Sequence, residues 1–156
     1  MLFETFTQTA GTLPGSSGIR FNGVTHSYYE LAERAERLAA GLVDLGIGVG
    51  DPVAILLRNS PDMFVLTQAL FAVGAISVPL DVQANPSELA RSVGQLGIRA
   101  VFASPDLAGV AEQLARDAGV KLPVITTQPE GRLTLATLGQ TAPGELPAVG
   151  ADDVAI

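Results

Sequence analysis

The chain contains no cysteine and only one histidine among its 156 residues. Disulfide bonds, thiolate metal sites, thiol catalysis and multi-histidine metal sites are therefore excluded. Basic residues are also few, with 9 Lys and Arg against 16 Asp and Glu, which gives a formal net charge of −7. Because binding to a phosphate backbone needs clustered basic side chains, we expect no nucleic-acid partner. A hydrophobic content of 47% suits one globular domain or a piece of a larger one.

Residues 63–80 carry no charge, and this length approaches that of a membrane span. The run is interrupted by Gln68, Gly74, Ser77 and Pro79, and no basic residue stands close to either end. We therefore interpret it as a buried helix followed by a buried strand, and we expect no membrane span. The N-terminus lacks the basic start and apolar run of a signal peptide, so we expect a cytoplasmic location.

The stretch "IRFNGVTHSYYE" predicts a β-hairpin followed by a helix. Asn22 and Gly23 form the strongest two-residue hairpin signal, because both turn positions require positive φ. Ser27 and Glu30 have the spacing of a capping box at the start of a helix. Apolar residues then recur at helical spacing, which predicts a helix over 28–45 that ends at a glycine.

A strand followed by a proline-initiated helix is repeated three times along the rest of the chain. The predicted strands at 53–57, 75–78 and 100–102 lead into predicted helices at 61–73, 86–96 and 106–118. A glycine follows each helix, and a fourth strand is predicted at 123–125. This order predicts an α/β fold with an open, mainly parallel sheet flanked by helices and preceded by the N-terminal hairpin.

We divide the chain into four regions on composition. Residues 1–18 are an N-terminal loop or helix, 19–126 an α/β subdomain, 127–151 a connecting loop and 152–156 the start of a strand. The connection is rich in Pro, Gly and Thr, so we expect it to run over the surface with no more than one short helical turn.

Several short motifs carry no specific chemistry. "GIGVGD" follows a helix and has Asp51 where a dinucleotide-binding loop requires a third glycine. "PGSSG", from Pro14, precedes no helix and is interpreted as a loop. His26 has no partner at a suggestive spacing, and the adjacent acids Asp152 and Asp153 are expected to be solvated. We therefore predict no catalytic residue and no metal ligand within these 156 residues.

The strand-to-helix junctions are the candidate binding positions. Ligands of open parallel sheets bind beyond the carboxyl ends of the strands, where helix N-termini favour anions. In this sequence those positions are residues 59–60, 81–85 and 104–106. The same residue types also serve as helix caps without any ligand, and both interpretations stay open at this point.

Taken in order, the segments between residues 20 and 126 resemble the opening of the AMP-forming acyl-CoA synthetase and adenylation-domain superfamily. No single motif is specific, but the ordered set is. The matching residues are Thr25, Tyr28, Glu30 and Leu31, with slightly compressed spacing; Gly46, Ile47, Gly48, Val49, Gly50 and Asp51; Asn59, Ser60 and Asp62; and Ala69, Gly74, Ala75, Val78, Pro79 and Asp81.

The resemblance implies that the chain is part of a larger multi-subdomain synthetase fold. The parent enzyme would use ATP, Mg²⁺ and coenzyme A to convert a carboxylic acid into an acyl-adenylate and then a thioester. The family's phosphate-binding loop, adenine-binding segment and C-terminal lysine have no counterpart in this sequence. We therefore expect the 156 residues alone to be inactive, to bind no cofactor tightly and to partner the remainder of their own polypeptide; a homodimer is also compatible with the sequence.

The resemblance also implies two loops that face coenzyme A. These loops contain Gln83, Ala84 and Asn85 in one case and Ser104 in the other, and neither contains the Arg or Lys expected to clamp a phosphate. Two alternatives stay open. The chain could belong to an adenylation domain that loads a carrier protein, or it could be a non-catalytic, flavodoxin-like binding or interaction domain.

Overall fold

A computed structural model describes residues 2–81, 83–119, 123–127, 134–142 and 146–150. The strand expected at 152–156 lies outside the described residues. A 3-10 turn, Pro105–Leu107, precedes α5. In chain order the other elements are α1 Leu2–Thr12, β1 Gly18–Phe21, β2 Val24–Ser27, α2 Tyr28–Asp44, β3 Pro52–Leu56, α3 Pro61–Ala72, β4 Ile76–Pro79, α4 Pro86–Gln95, β5 Ala100–Ala103, α5 Ala108–Asp117, β6 Val124–Thr126 and α6 Leu135–Leu138.

Four strands form a parallel sheet in the order β4-β3-β5-β6. The connection from β4 through α4 to β5 therefore crosses over β3. A separate antiparallel hairpin joins β1 to β2, and its turn residues Asn22 and Gly23 have φ values of +48° and +83°. These observations confirm the predicted α/β class, the parallel sheet and the N-terminal hairpin.

Helices cover both faces of the sheet, so the strands are buried on two sides. Val53 and Ile55 pack into an apolar cluster with α2 and α3, whereas Ala54 and Leu56 pack into a second cluster with α4 and α5. A strand covered on both faces needs apolar residues at every position, which explains the uninterrupted apolar run of β3.

Polar caps start three of the helices as the sequence predicts. The Ser27 hydroxyl accepts a hydrogen bond from the Glu30 amide at 3.2 Å, and the Glu30 carboxylate accepts one from the Ser27 amide at 3.0 Å, which completes the capping box. Ser60 caps α3 by accepting a hydrogen bond from the Met63 amide at 3.2 Å. Asn85 caps α4, as described below.

The interpretation of Ser104 as a side-chain helix cap is wrong. Pro105 opens a 3-10 turn instead of the α-helix, so α5 begins only at Ala108 and its N-cap position is occupied by Leu107. The Ser104 carbonyl accepts a hydrogen bond from the Leu107 amide at 2.9 Å, whereas its side chain caps nothing. The backbone turn therefore replaces the side-chain cap at this junction.

Two further helices add to the core formed by α2 and α3. Phe3 and Ala10 of α1 are buried, and the Phe6 ring meets the Phe64 ring edge-on at a centroid distance of 5.3 Å. In the segment expected to be a surface connection, α6 buries Leu135 and Leu138. These leucines are three residues apart, so they lie on one side of the helical turn and pack into the cluster that includes α2.

Candidate functional site

The loops that follow the parallel strands meet at one edge of the sheet. Residues 57–60 follow β3, residues 80–85 follow β4 and Ser104 follows β5. Since β3 lies between β4 and β5, its loop separates the two loops that the sequence singles out as candidates. In open α/β sheets, this is the edge where ligands bind.

The loop after β4 is a turn organised by Asp81. The Asp81 carboxylate accepts a hydrogen bond from the Gln83 amide at 2.9 Å, and the Asp81 carbonyl accepts one from the Ala84 amide at 3.0 Å. Gln83 and Asn85 are exposed, while Ala84 is half-buried against the cluster formed with α4 and α5. The turn therefore presents Gln83 and Asn85 outward at the start of α4.

Asn85 uses its side-chain carbonyl within its own turn. The Oδ1 atom accepts hydrogen bonds from the Ser87 amide at 3.0 Å and from the Ser87 hydroxyl at 2.7 Å. This is the geometry of a helix N-cap, which satisfies a backbone donor that the helix itself leaves without an acceptor. A ligand at this position would meet the start of α4 with its cap already formed.

The loops after β3 and β5 are joined by an ion pair. The Arg58 guanidinium donates two hydrogen bonds to Asp106 Oδ2, at 3.0 Å from Nε and 2.9 Å from Nη2. Both side chains are more than half exposed, so this pair contributes little to stability. Its effect is to bring a cation to the edge of the sheet between the two candidate loops.

The Asp106 carboxyl has a pKa below its ordinary value, because the Ser104 hydroxyl lies close to it and the Arg58 guanidinium binds it. Ser104 Oγ is itself buried, and among the described residues no partner meets it at hydrogen-bond geometry. We therefore interpret the hydroxyl as a nearby dipole and Arg58 as the group that makes the direct bonds. Asp106 remains a carboxylate at neutral pH.

Arg58 is the residue of this edge that the sequence analysis missed. Neither candidate loop contains a basic residue, so the two loops taken separately do not indicate a cation at this edge. A signal was nevertheless present, because Arg58 comes two residues after β3 and neighbouring parallel strands end at the same edge. Pairing β3 with β5 would have placed Arg58 beside Asp106.

A second concave feature lies between the hairpin and the start of α3. This hairpin cleft has a volume of about 390 Å³ and is lined almost entirely by apolar atoms. It contains no charged side chain. Its lining residues are Ile19, Phe21, Asn59, Ser60, Met63, Phe64 and Thr67.

Within the described residues, no three His, Asp or Glu side chains come together in a group that could hold a metal ion. The same part of the chain has no helix long and apolar enough to cross a membrane, and the uncharged run is divided between α3 and β4.

The fold and this edge together define a doubly wound α/β unit with its first strand, β3, inside the sheet. A family model described as "AMP-binding enzyme" matches residues 6–156. The chain therefore belongs to the AMP-binding enzyme family, as the resemblance predicted.

Three relatives illustrate the relationship. An olefin beta-lactone synthetase of Xanthomonas campestris is 35% identical over 147 residues, which cover 90% of this chain and 26% of that protein. A feruloyl-CoA synthase of Amycolatopsis is 34% identical over 143 residues, covering 92% of this chain and 27% of the relative. A crystal structure from Rhodopseudomonas palustris, provisionally described as a long-chain-fatty-acid CoA ligase, has a TM-score of 0.86 and 27% identity, covering 96% of this chain and 39% of its own.

The chain spans about a quarter of the length of these curated relatives. It corresponds to the N-terminal part of the AMP-binding domain.

Proposed function

We propose that the chain forms the N-terminal part of an ATP-dependent, AMP-forming ligase that joins a carboxylic acid to coenzyme A. In this reaction the acid is first converted to an acyl-adenylate and then transferred to the thiol of coenzyme A. The observation that supports the proposal is the family match over residues 6–156. The fold of the chain is also similar to that of the Rhodopseudomonas palustris structure described above. Two of the relatives reported above carry names of enzymes that act with coenzyme A.

The described residues do not themselves fit ATP with Mg²⁺. A triphosphate needs several donors or cations and a metal needs oxygen ligands, but the cation at this sheet edge, Arg58, is already bound by Asp106. We therefore assign ATP and Mg²⁺ to residues outside this chain, and we expect the 156 residues alone to be inactive and to retain no cofactor on purification.

We propose that Gln83, Ala84, Asn85 and Ser104 lie toward the nucleotide end of coenzyme A. The loop after β4 is exposed, and the amides at the start of α4 supply the partial positive charge that favours a phosphate. Arg58 lies on the Ser104 side of the same edge, but Asp106 already binds its guanidinium, so it supplies no free cation for the phosphate. With no Arg or Lys in the loops themselves, the contribution of these residues to affinity is expected to be small.

The remaining expectations follow from the proposed reaction. Together with this reaction we propose a carboxylic acid substrate and a cytoplasmic location. We also propose the division of the chain into regions that end at residues 18, 126 and 151. The subdomain would work in contact with the rest of its polypeptide. A homodimer is one oligomeric state that the whole enzyme could adopt.

The test compares the 156-residue chain with the longer natural polypeptide that contains it. With ATP and a panel of aryl, fatty and small branched acids, we expect pyrophosphate release from the longer polypeptide and none from the 156 residues. Mass spectrometry should then detect the acyl-CoA product. Adenylate without acyl-CoA would support the alternative of an adenylation domain that loads a carrier protein, and no adenylate at all would support a non-catalytic domain.

The role of the loop after β4 is tested at Asn85, where two substitutions keep the cap but differ in charge. Asp and Ser cap helices about as well as Asn, so neither variant should unfold α4. In the longer polypeptide, Asn85→Asp should raise the KM for coenzyme A without changing adenylate formation, whereas Asn85→Ser should change neither. If both half-reactions decline together in Asn85→Asp, the residue is a structural cap only.

A further inference from the structure

The helix α3 differs from the other long helices of the α/β unit in having no charged face. Asp62, in the first turn, is its one charged residue, whereas α2, α4 and α5 each carry both acidic and basic residues. An amphipathic helix exposes one polar face, but a helix that is apolar on all sides is normally covered on all sides. The sequence of α3 is therefore that of a helix with protein on both sides.

The described residues fully cover only one side of α3. Val65, Leu66 and Ala69 are buried against α2 and the sheet, while Met63 and Phe64 on the outer side are half-buried. The helix α1 covers part of this outer side through the Phe6–Phe64 ring contact. The hairpin cleft defined above is the part that α1 leaves open.

The hairpin extends the same apolar surface. Phe21 lines the cleft and is 36% exposed, and its cross-strand partner Val24 is 57% exposed. Exposed apolar side chains that adjoin an apolar cleft indicate a surface that is covered by another molecule or segment. The uncharged lining favours an apolar occupant over an anion or a metal ion.

We propose that the hairpin cleft is the docking site for the polypeptide that completes the AMP-binding domain, and that an apolar side chain from that polypeptide fills it. This inference rests on the proposed function, in which the chain is the N-terminal part of a longer enzyme. The relatives support this occupant because about three-quarters of their length lies outside the matched region. A second copy of the chain is less suitable, since each copy carries a net charge of −7 and two copies repel one another.

The absence of cysteine provides a direct test, because a single introduced thiol can be followed by maleimide labelling. Thr67→Cys places the thiol in the cleft, and Gln113→Cys places it on the exposed face of α5, on the opposite side of the sheet. Each variant is made in the 156-residue chain and in the longer natural polypeptide. Labelling is measured on the peptide that contains the introduced thiol, so thiols elsewhere do not interfere.

In the 156-residue chain, both thiols should be labelled readily. In the longer polypeptide, labelling of the Thr67→Cys variant should be slower by at least about tenfold, while the Gln113→Cys variant should be labelled at an unchanged rate. Equal labelling of the Thr67→Cys variant in both proteins would overturn the proposal. Two results with the 156-residue chain alone would also overturn it. Protection that increases with protein concentration would identify a second copy as the occupant, and protection that appears on adding decanoate would identify a small-molecule ligand.

The labelling result and the proposed reaction can fail separately. Pyrophosphate release without protection of the Thr67→Cys variant would leave the reaction intact and remove the docking site. Protection without pyrophosphate release would leave the docking site intact and remove the ligase reaction.

Discussion

Gly41 lies where α2 crosses the short helix α6, and its lack of a side chain allows the two helices to touch. A Cβ atom at this position would lie 2.5 Å from the Leu138 carbonyl oxygen, 2.9 Å from the carbonyl carbon and 2.9 Å from the Leu138 Cβ. Real Cβ atoms do not approach other atoms this closely, and two of the three contacts are with backbone. The Gly41→Ala variant therefore has to move α6 as a unit.

Two effects of opposite sign decide the result. Alanine is a better helix former than glycine by about 1 kcal/mol, which favours the variant. Overpacking a tight site costs about 1–3 kcal/mol, and a displaced α6 would also withdraw Leu135 and Leu138 from the core. We expect a net loss of about 1–2 kcal/mol, which corresponds to a decrease in Tm of roughly 2–8 °C for a chain of this length.

Gly109 in the first turn of α5 is the matched control. Apart from the backbone of α5 and the neighbouring residues in the chain, no atom lies within 4 Å of the position that its Cβ would occupy, so Gly109→Ala has the helix-forming effect without the clash. It should leave stability unchanged or raise it by up to about 1 kcal/mol. Urea and thermal unfolding of the 156-residue chain measure both variants, and hydrogen exchange at α6 reports its displacement. If Gly41→Ala is as stable as Gly109→Ala, the close approach of α2 and α6 is not a property of the protein.

Three other predictions concern the helix starts and the sheet edge. Ser60→Ala should destabilise the chain by about 1 kcal/mol in urea unfolding through loss of a cap. Ser104→Ala should cost clearly less, because the Ser104 hydroxyl has no partner at hydrogen-bond geometry and acts on Asp106 only as a nearby dipole; equal losses would contradict this distinction. Arg58→Met should move the pKa of Asp106 upward toward its ordinary value in an NMR titration, and an unchanged pKa would show that the ion pair does not persist in solution. The backbone amide of Ser27, and then its hydroxyl, lower the pKa of Glu30. The stabilisation by ionised Glu30 is therefore complete above the ordinary Glu pKa of about 4.3 and is lost as the pH falls through the lowered pKa. Glu30→Gln should remove this part of the acid sensitivity of folding, and identical profiles of stability against pH for the two proteins would refute the reasoning.

Local signals predicted much of the fold, because each depends on only a few neighbouring residues. Positive φ at Asn22 and Gly23 follows directly from the turn type that an Asn-Gly hairpin requires. The capping box at Ser27 and Glu30 depends on a three-residue spacing and is formed as predicted. The apolar runs predicted the four strands, because helices pack on both faces of the sheet and bury strand residues on both sides.

The features that the sequence did not predict depend on contacts between distant segments. Arg58 and Asp106 are 48 residues apart, and only the pairing of β3 with β5 brings them together. The burial of α6 depends on the space that Gly41 leaves on α2, which the local pattern around Leu138 does not contain. At Ser104 the local pattern suggested a side-chain cap. Instead the backbone forms a 3-10 turn, in which the Ser104 carbonyl accepts the hydrogen bond from the Leu107 amide.

The most direct test of the central claim is the formation of acyl-adenylate by the longer polypeptide that the proposed function requires. Purified polypeptide is incubated with ATP and each acid of the panel without coenzyme A, and pyrophosphate and the acyl-adenylate are quantified together. We predict equal amounts of the two products with at least one acid, and none from the 156-residue chain. Release of pyrophosphate by the 156 residues alone, or none from the longer polypeptide with any acid, would contradict the account.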